Sequence, residues 1–208
     1  MSRRFLVAAV LVLPVLVGGC RHLPSRSRAL PDCPGQWVST GAIAGDFLLR
    51  QQVRIEAGDR VWSLQLVTQK RGDELLLLGL DPFGAKLFTV RQRGLATSVD
   101  ALPAPLLEVP PLNLLRDLHR ERFLALANPG ADGTFQATRA GTKIREQVAG
   151  GRSRWRSFER LAGDPPGRVE LRFEEPLAAP GGAARVTIDN GWCGYRAEIT
   201  TLSEESLP

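Results

Sequence analysis

From Gly45 onward apolar and polar residues alternate with a period of two, and no other feature limits the fold as tightly. Phe47, Leu49, Gln51, Val53 and Ile55 fall on one side of an extended chain, and Leu48, Arg50, Gln52, Arg54 and Glu56 on the other. That is a strand with one dry and one wet face. Val61–Gln69 repeats the pattern, with Trp62, Leu64 and Leu66 opposite Ser63 and Gln65. Glu74–Leu80 is a continuous apolar run, the mark of a more buried strand, and Ala85–Gln92 is another strand. Gly58-Asp59, Gly72-Asp73, Asp81-Pro82-Phe83-Gly84 and Arg93-Gly94 separate the runs with tight-turn chemistry. Four or five strands joined so closely make an antiparallel meander.

The pattern changes at residues 103–129. Pro103, Pro105, Pro110 and Pro111 form a stiff connection. Leu112–Ala127 then reads as a helix, with Leu115, Leu118 and Arg122 at helical spacing and Pro129-Gly130 ending it. Strands resume at Thr134–Ala140, Thr142–Val148, Ser153–Leu161, Arg168–Glu174, Arg185–Asp189 and Tyr195–Thr201. Glycine-rich breaks separate them, and no internal repeat is present.

A mainly β fold follows: one curved antiparallel sheet of about ten strands, curled into an incomplete barrel because a flat sheet of that size would expose its whole dry face. One helix and the proline-rich segment act as a partial lid. Such a shape either leaves an open apolar cavity for a hydrophobic ligand or is filled by its own side chains. The residues alone favour neither. Candidate cavity residues are Phe47, Leu49, Trp62, Leu64, Leu66, Leu76, Leu78, Phe88, Val90, Leu171 and Phe173.

The amino terminus reads as an address. Arg3 and Arg4 precede a thirteen-residue apolar run, Phe5–Val17, and then Gly18-Gly19-Cys20. This is the layout of a secretory signal, and a cysteine directly after the small residues is the acceptor for lipid once residues 1–19 are removed. The alternatives are an ordinary signal peptide or an uncleaved anchor. The run is short of the roughly 20 residues that a span needs, and Pro14 interrupts it. Residues 20–36, rich in Pro, Ser and Arg, read as the lipidated end and a tether. Residues 37–203 form the folded domain, and 204–208 a short tail.

With Cys20 assigned to lipid, Cys33 and Cys193 remain as an even pair in an oxidising compartment. They are expected to form a disulfide closing a loop of about 160 residues, worth up to about 5 kcal/mol in the chain-entropy model. The alternative is a pair of buried free thiols.

Catalytic chemistry has little to work with. His22 lies in the tether, and His119, between Leu118 and Arg120-Glu121, reads as a helix-surface histidine. Neither has metal-ligand spacing to a cysteine. No nucleophile elbow is present. Gly150-Gly151 and Gly181-Gly182 precede strands, so they are turns and not phosphate cradles. Glu174 and Glu175 are adjacent and point to opposite faces. No enzyme, cofactor or metal is expected. The net charge of +5 falls to +3 without Arg3 and Arg4, and the arginines sit beside acidic residues, as Arg168 and Arg172 do around Glu170. That argues against nucleic-acid binding. Arg152, Arg154 and Arg156 share a strand face, read as solvated, with anionic head groups as the alternative partner.

Trp62 in an alternating strand, Asp73 opening an apolar strand, and Gly79-Leu80-Asp81-Pro82-Phe83-Gly84 before Ala85-Lys86-Leu87-Phe88 together resemble the first half of the LolB-like lipoproteins. The chain is similar to a family of uncharacterised Gram-negative lipoproteins, a domain of unknown function often encoded beside aryl-polyene biosynthesis enzymes. The ending Asp189-Asn190-Gly191-Trp192-Cys193-Gly194-Tyr195 resembles that family's ending. The resemblance covers most of residues 37–203 and implies a LolA/LolB-like half-barrel whose apolar interior holds acyl chains. A projecting apolar loop residue helps LolB receive lipoproteins; Phe83, at its turn tip, is not assigned that role. Arg21 after the acylated cysteine, where inner-membrane retention uses Asp, implies the periplasmic face of the outer membrane.

The expectation is a lipid-anchored outer-membrane protein that binds an acyl or polyene chain and assists lipid or glycolipid transfer. Its known partner would be the bilayer, through acylated Cys20, with a lipid or glycolipid as cargo and any protein partner unidentified. The alternative is an accessory that binds a protein through its edge strands.

Overall fold

The computed structural model describes residues 30–101, 109–126, 131–163, 166–174 and 185–208. The expected signal, Cys20, His22, Pro103, Pro105, Pro129-Gly130, Glu175 and Gly181-Gly182 lie outside them.

Among the described residues eleven strands form one antiparallel sheet. The first meander comprises β1 (Phe47–Ala57), β2 (Arg60–Arg71), β3 (Glu74–Leu80), β4 (Lys86–Arg93) and β5 (Ala96–Ala101). The second comprises β6 (Gly133–Arg139), β7 (Thr142–Ala149), β8 (Arg152–Arg160), β9 (Arg168–Glu174), β10 (Arg185–Asn190) and β11 (Tyr195–Ser206). The spatial order is β5-β4-β3-β2-β1-β11-β10-β9-β8-β7-β6. The meanders therefore join along β1 and β11, with Val53 opposite Ile199 and Ile55 opposite Ala197. A bulge beside Arg50 and Gln51 bends this seam. Residues 204–206, read from the sequence as tail, extend β11 opposite Phe47–Leu49.

This order decides where the helix goes. β5 and β6 are consecutive along the chain yet lie at opposite edges of the sheet. The connection between them must cross a whole face, and α1 (Pro111–Arg122) lies on that crossing. Pro111 starts the helix at the position where a missing N–H costs nothing. The helix is shorter than the sequence suggests, with Phe123 as its C-cap. Arg156 of β8 donates to the Arg120 and Glu121 carbonyls, and the Leu126 N–H turns away to Glu146 of β7. Tertiary partners, rather than Pro129, end the helix.

The inner face of the sheet packs on α1 in a single core with Leu49, Val53, Ile55, Leu64, Phe88, Ile144, Leu171, Ile188 and the helix residues Leu114, Leu115 and Leu118. Gly79 is needed at its place on β3. A Cβ there would sit 2.1 Å from the Phe88 ring, so the bare backbone is what leaves room for the ring over the strand. On the outer face the arginines are paired, Arg91 and Arg93 with Glu74, Arg185 with Glu198 and Arg168 with Glu170. Solvent screens each exposed pair, so these pairs add little to stability.

Candidate functional site

Of the eleven residues expected to line a cavity, Leu49, Leu64, Leu66, Phe88, Val90 and Leu171 are buried on the inner face, inside the core that α1 completes. Phe47, Trp62 and Phe173 are half-buried at its margin. Leu76 and Leu78 require correction. Leu75 and Leu77 are the buried pair, and Leu76 and Leu78 lie on the outer face opposite Arg91 and Thr89. Four successive leucines carry no period-two phase, so only strand pairing fixes which two face inward.

The helix is gripped by polar groups that the alternation pattern did not single out. His119 is buried, not on the surface. Its Nδ1 accepts from the Val38 N–H at 3.0 Å, which leaves Nε2 to donate to Gln92 Oε1 at 2.8 Å. Gln92 Nε2 in turn donates to the Val38 and Gly94 carbonyls. Burial pushes the imidazole down to about 4, so the ring is a neutral structural link between α1, β4 and the segment before β1. Asp117 binds Arg120 at 2.6 Å and accepts from the Tyr195 hydroxyl. Burial and the Asp117 carboxylate raise the Tyr195 phenol well above its ordinary range. The expected solvated arginine face is corrected at Arg156, which is buried against Glu146 and the helix end, while Arg152, across a register shift in the same strand, is exposed.

A strap runs along α1. Cys33 and Cys193 are joined by a disulfide, with Cα atoms 5.7 Å apart. Asn113 accepts from the Cys33 N–H at 2.8 Å and donates to the Pro31 carbonyl. Arg120 reaches the Pro34 carbonyl and lies over the Trp192 ring, while Arg116 lies over Trp37. Trp192, Cys193 and Tyr195 thus each hold the helix or its strap. The signal for this network was present in the sequence. Asn113, Asp117 and Glu121 recur every four residues along the helix, and Gln51 and Gln92 interrupt apolar strand faces.

Open space remains where the helix ends. A groove of about 470 Å³ lies between the C-terminal end of α1, the residues before β1 and the end of β11. Ile43, Phe47 and Phe123 give it apolar walls, and Glu121, Arg122 and Glu204 give it charge. The Phe47 and Phe123 rings lie 6.2 Å apart. Arg122 is paired with Glu204. Glu121 accepts from Gln51 at 3.1 Å, and burial raises its carboxyl to about 7 against the pull of Arg122, Gln51 and Arg156. Among the described residues no group of three or more His, Cys, Asp or Glu is placed to hold a metal, and no helix is long and apolar enough to cross a membrane.

The sequence family described as protein of unknown function (DUF3261) matches residues 48–203, from the first strand to the last and including α1. The chain belongs to this family. Among curated proteins none matches the sequence. Among solved structures, the fold is similar to that of a LolA superfamily protein from Nitrosomonas europaea, 11% identical, covering 82% of this chain and 91% of that one with a TM-score of 0.48. An outer membrane lipoprotein-sorting protein domain from Vibrio parahaemolyticus is 15% identical over 78% of this chain and 85% of its own, with a TM-score of 0.46. A DUF1329 family protein from Desulfovibrio piger is 10% identical over 83% and 94%, with a TM-score of 0.32.

Proposed function

We propose that this chain is a non-enzymatic lipoprotein of the periplasmic face of the outer membrane, anchored through acylated Cys20, that binds an acyl or polyene chain and assists lipid or glycolipid delivery. The observation that carries this reading is the groove beside α1. The helix fills the middle of the apolar inner face, and the end left open still presents Ile43, Phe47 and Phe123. A volume of about 470 Å³ lies in the lower part of the range of small-molecule sites. Binding would be driven by desolvation, about 0.8 kcal/mol for each buried CH₂. No reacting group is required.

Native mass spectrometry of the full chain purified from Gram-negative membranes tests both halves. The expected result is an acylated Cys20 together with a co-purifying lipid, an aryl-polyene lipid where the host makes one. An unmodified Cys20 would remove the anchor, and an empty protein that ignores fatty-acyl probes would remove the carrier.

A second reading, an accessory that binds a protein partner, is favoured by the open edge at β5. Among the described residues that strand pairs only with β4, and Val99 within it and Leu95 just before it are 43% and 62% exposed. Unpaired strand edges recruit further strands. Crosslinking that recovers one stoichiometric protein through β5, with no lipid bound, would favour it.

A further inference from the structure

The charges around the groove restrict what it can hold. Arg122 is the guanidinium among its lining residues, and Glu204 already accepts from it. Glu121 is the second carboxyl there, buried and bonded to Gln51. The groove also sits at the C-terminal end of α1, where Arg156 already donates to the Arg120 and Glu121 carbonyls. The charges open to a ligand there are therefore one cation and one carboxylate, Arg122 and Glu204, already paired with each other, because Glu121 is buried and Arg156 occupies the last helix carbonyls. A free anion, such as a fatty acid carboxylate, would have to displace Glu204 to reach Arg122. A head group that brings its own cation would give Glu204 a new partner.

We propose that this groove selects a single-chain zwitterionic lipid. Its alkyl chain lies on Ile43, Phe47 and Phe123, its phosphate pairs with Arg122, and its ammonium pairs with Glu204. Binding replaces two ion pairs, Arg122–Glu204 and the ligand's own, with two between ligand and protein, so the net charge in the groove is unchanged and the gain comes from burying the alkyl chain. This assignment rests on the lipid-binding reading above and adds to it the head-group class and the place.

The test is a titration of the full chain, monitored by native mass spectrometry, with palmitoyl-lysophosphatidylethanolamine, palmitoyl-lysophosphatidylglycerol and palmitate. Wild type is expected to bind the zwitterion at least tenfold tighter than either anion. Ala44→Trp, at an exposed position lining the groove, is expected to weaken that binding at least tenfold while the far-ultraviolet spectrum and melting stay as in wild type. Ala42→Trp serves if the first variant folds poorly. Arg122→Gln should abolish the preference between head groups. Equal binding of all three probes overturns the head-group assignment. Undiminished zwitterion binding in a folded Trp variant overturns the location and leaves the carrier reading standing. A wild-type protein that binds none of the probes and carries no lipid from the membrane overturns both.

Discussion

The His119 Nε2 and Gln92 Oε1 atoms lie 2.8 Å apart inside the protein and tie α1 to β4. The ring is held neutral, with its other nitrogen occupied by the Val38 N–H. A few positions along the same helix, Glu121 is held protonated by burial up to about pH 7. These two groups act on stability in opposite directions.

For His119 the native value of about 4 lies below the unfolded value of 6.5, so only the unfolded chain gains a proton between them and stability falls as pH drops through that window. For Glu121 the native value of about 7 lies above 4.5, so only the unfolded chain loses its proton there and stability falls as pH rises. Each effect reaches about 3 kcal/mol at most. Between pH 4.5 and 6.5 they oppose one another. Relative to wild type in urea unfolding, His119→Gln should therefore lose stability as pH rises from 4.5 to 6.5, and Glu121→Gln should gain it. Parallel curves for the three proteins would refute the buried assignments.

The strand phase of β3 is open to a direct comparison. Leu77→Ala should cost about 2–5 kcal/mol, since it empties a core position. Leu78→Ser, on the outer face, should cost no more than about 1 kcal/mol. Guanidinium unfolding of the two variants reads the difference, and equal losses would mean that the register is wrong.

The disulfide should matter through the strap as well as through chain entropy. Cys33→Ser with Cys193→Ser is expected to lose about 2–5 kcal/mol. It should also raise hydrogen exchange at the Cys33 and Val38 amides, which bond Asn113 and His119. Unchanged protection at those amides would show that the side chains of α1 hold the strap without the bridge.

Gly79 and Phe88 form a size-matched pair. Gly79→Ala should cost about 1–3 kcal/mol by overpacking, because the added carbon meets the ring at 2.1 Å. Phe88→Leu in the same chain should recover part of that loss. A double-mutant cycle with no coupling would show that the ring moves aside freely.

Much of the architecture was legible because alternation is a local property. Phe47 to Ile55 and Val169 to Phe173 could be assigned an inner face from spacing alone, and the positive φ of Gly58 and Gly72 follows from the turns between runs. Two features were not legible. Leu75–Leu78 is uniformly apolar, so its phase came only from pairing with β4. His119, Arg156 and Glu121 have the composition of a surface, and nothing within a few residues reveals that Gln92, Glu146 and Gln51 will meet them.

By itself the sequence determined every strand but β5, the turns between them, an intervening helix and the pairing of two cysteines, because each depends on neighbours in the chain or on a simple count. Only the tertiary structure decided that β1 closes on β11, leaving β5 and β6 at opposite edges. The connection was thereby forced across the inner face, where α1 became the centre of the core and left its open groove at one end. The physical reason is distance along the chain. Contacts between residues some 70 to 160 positions apart place the helix, and no local pattern encodes which of those residues will meet.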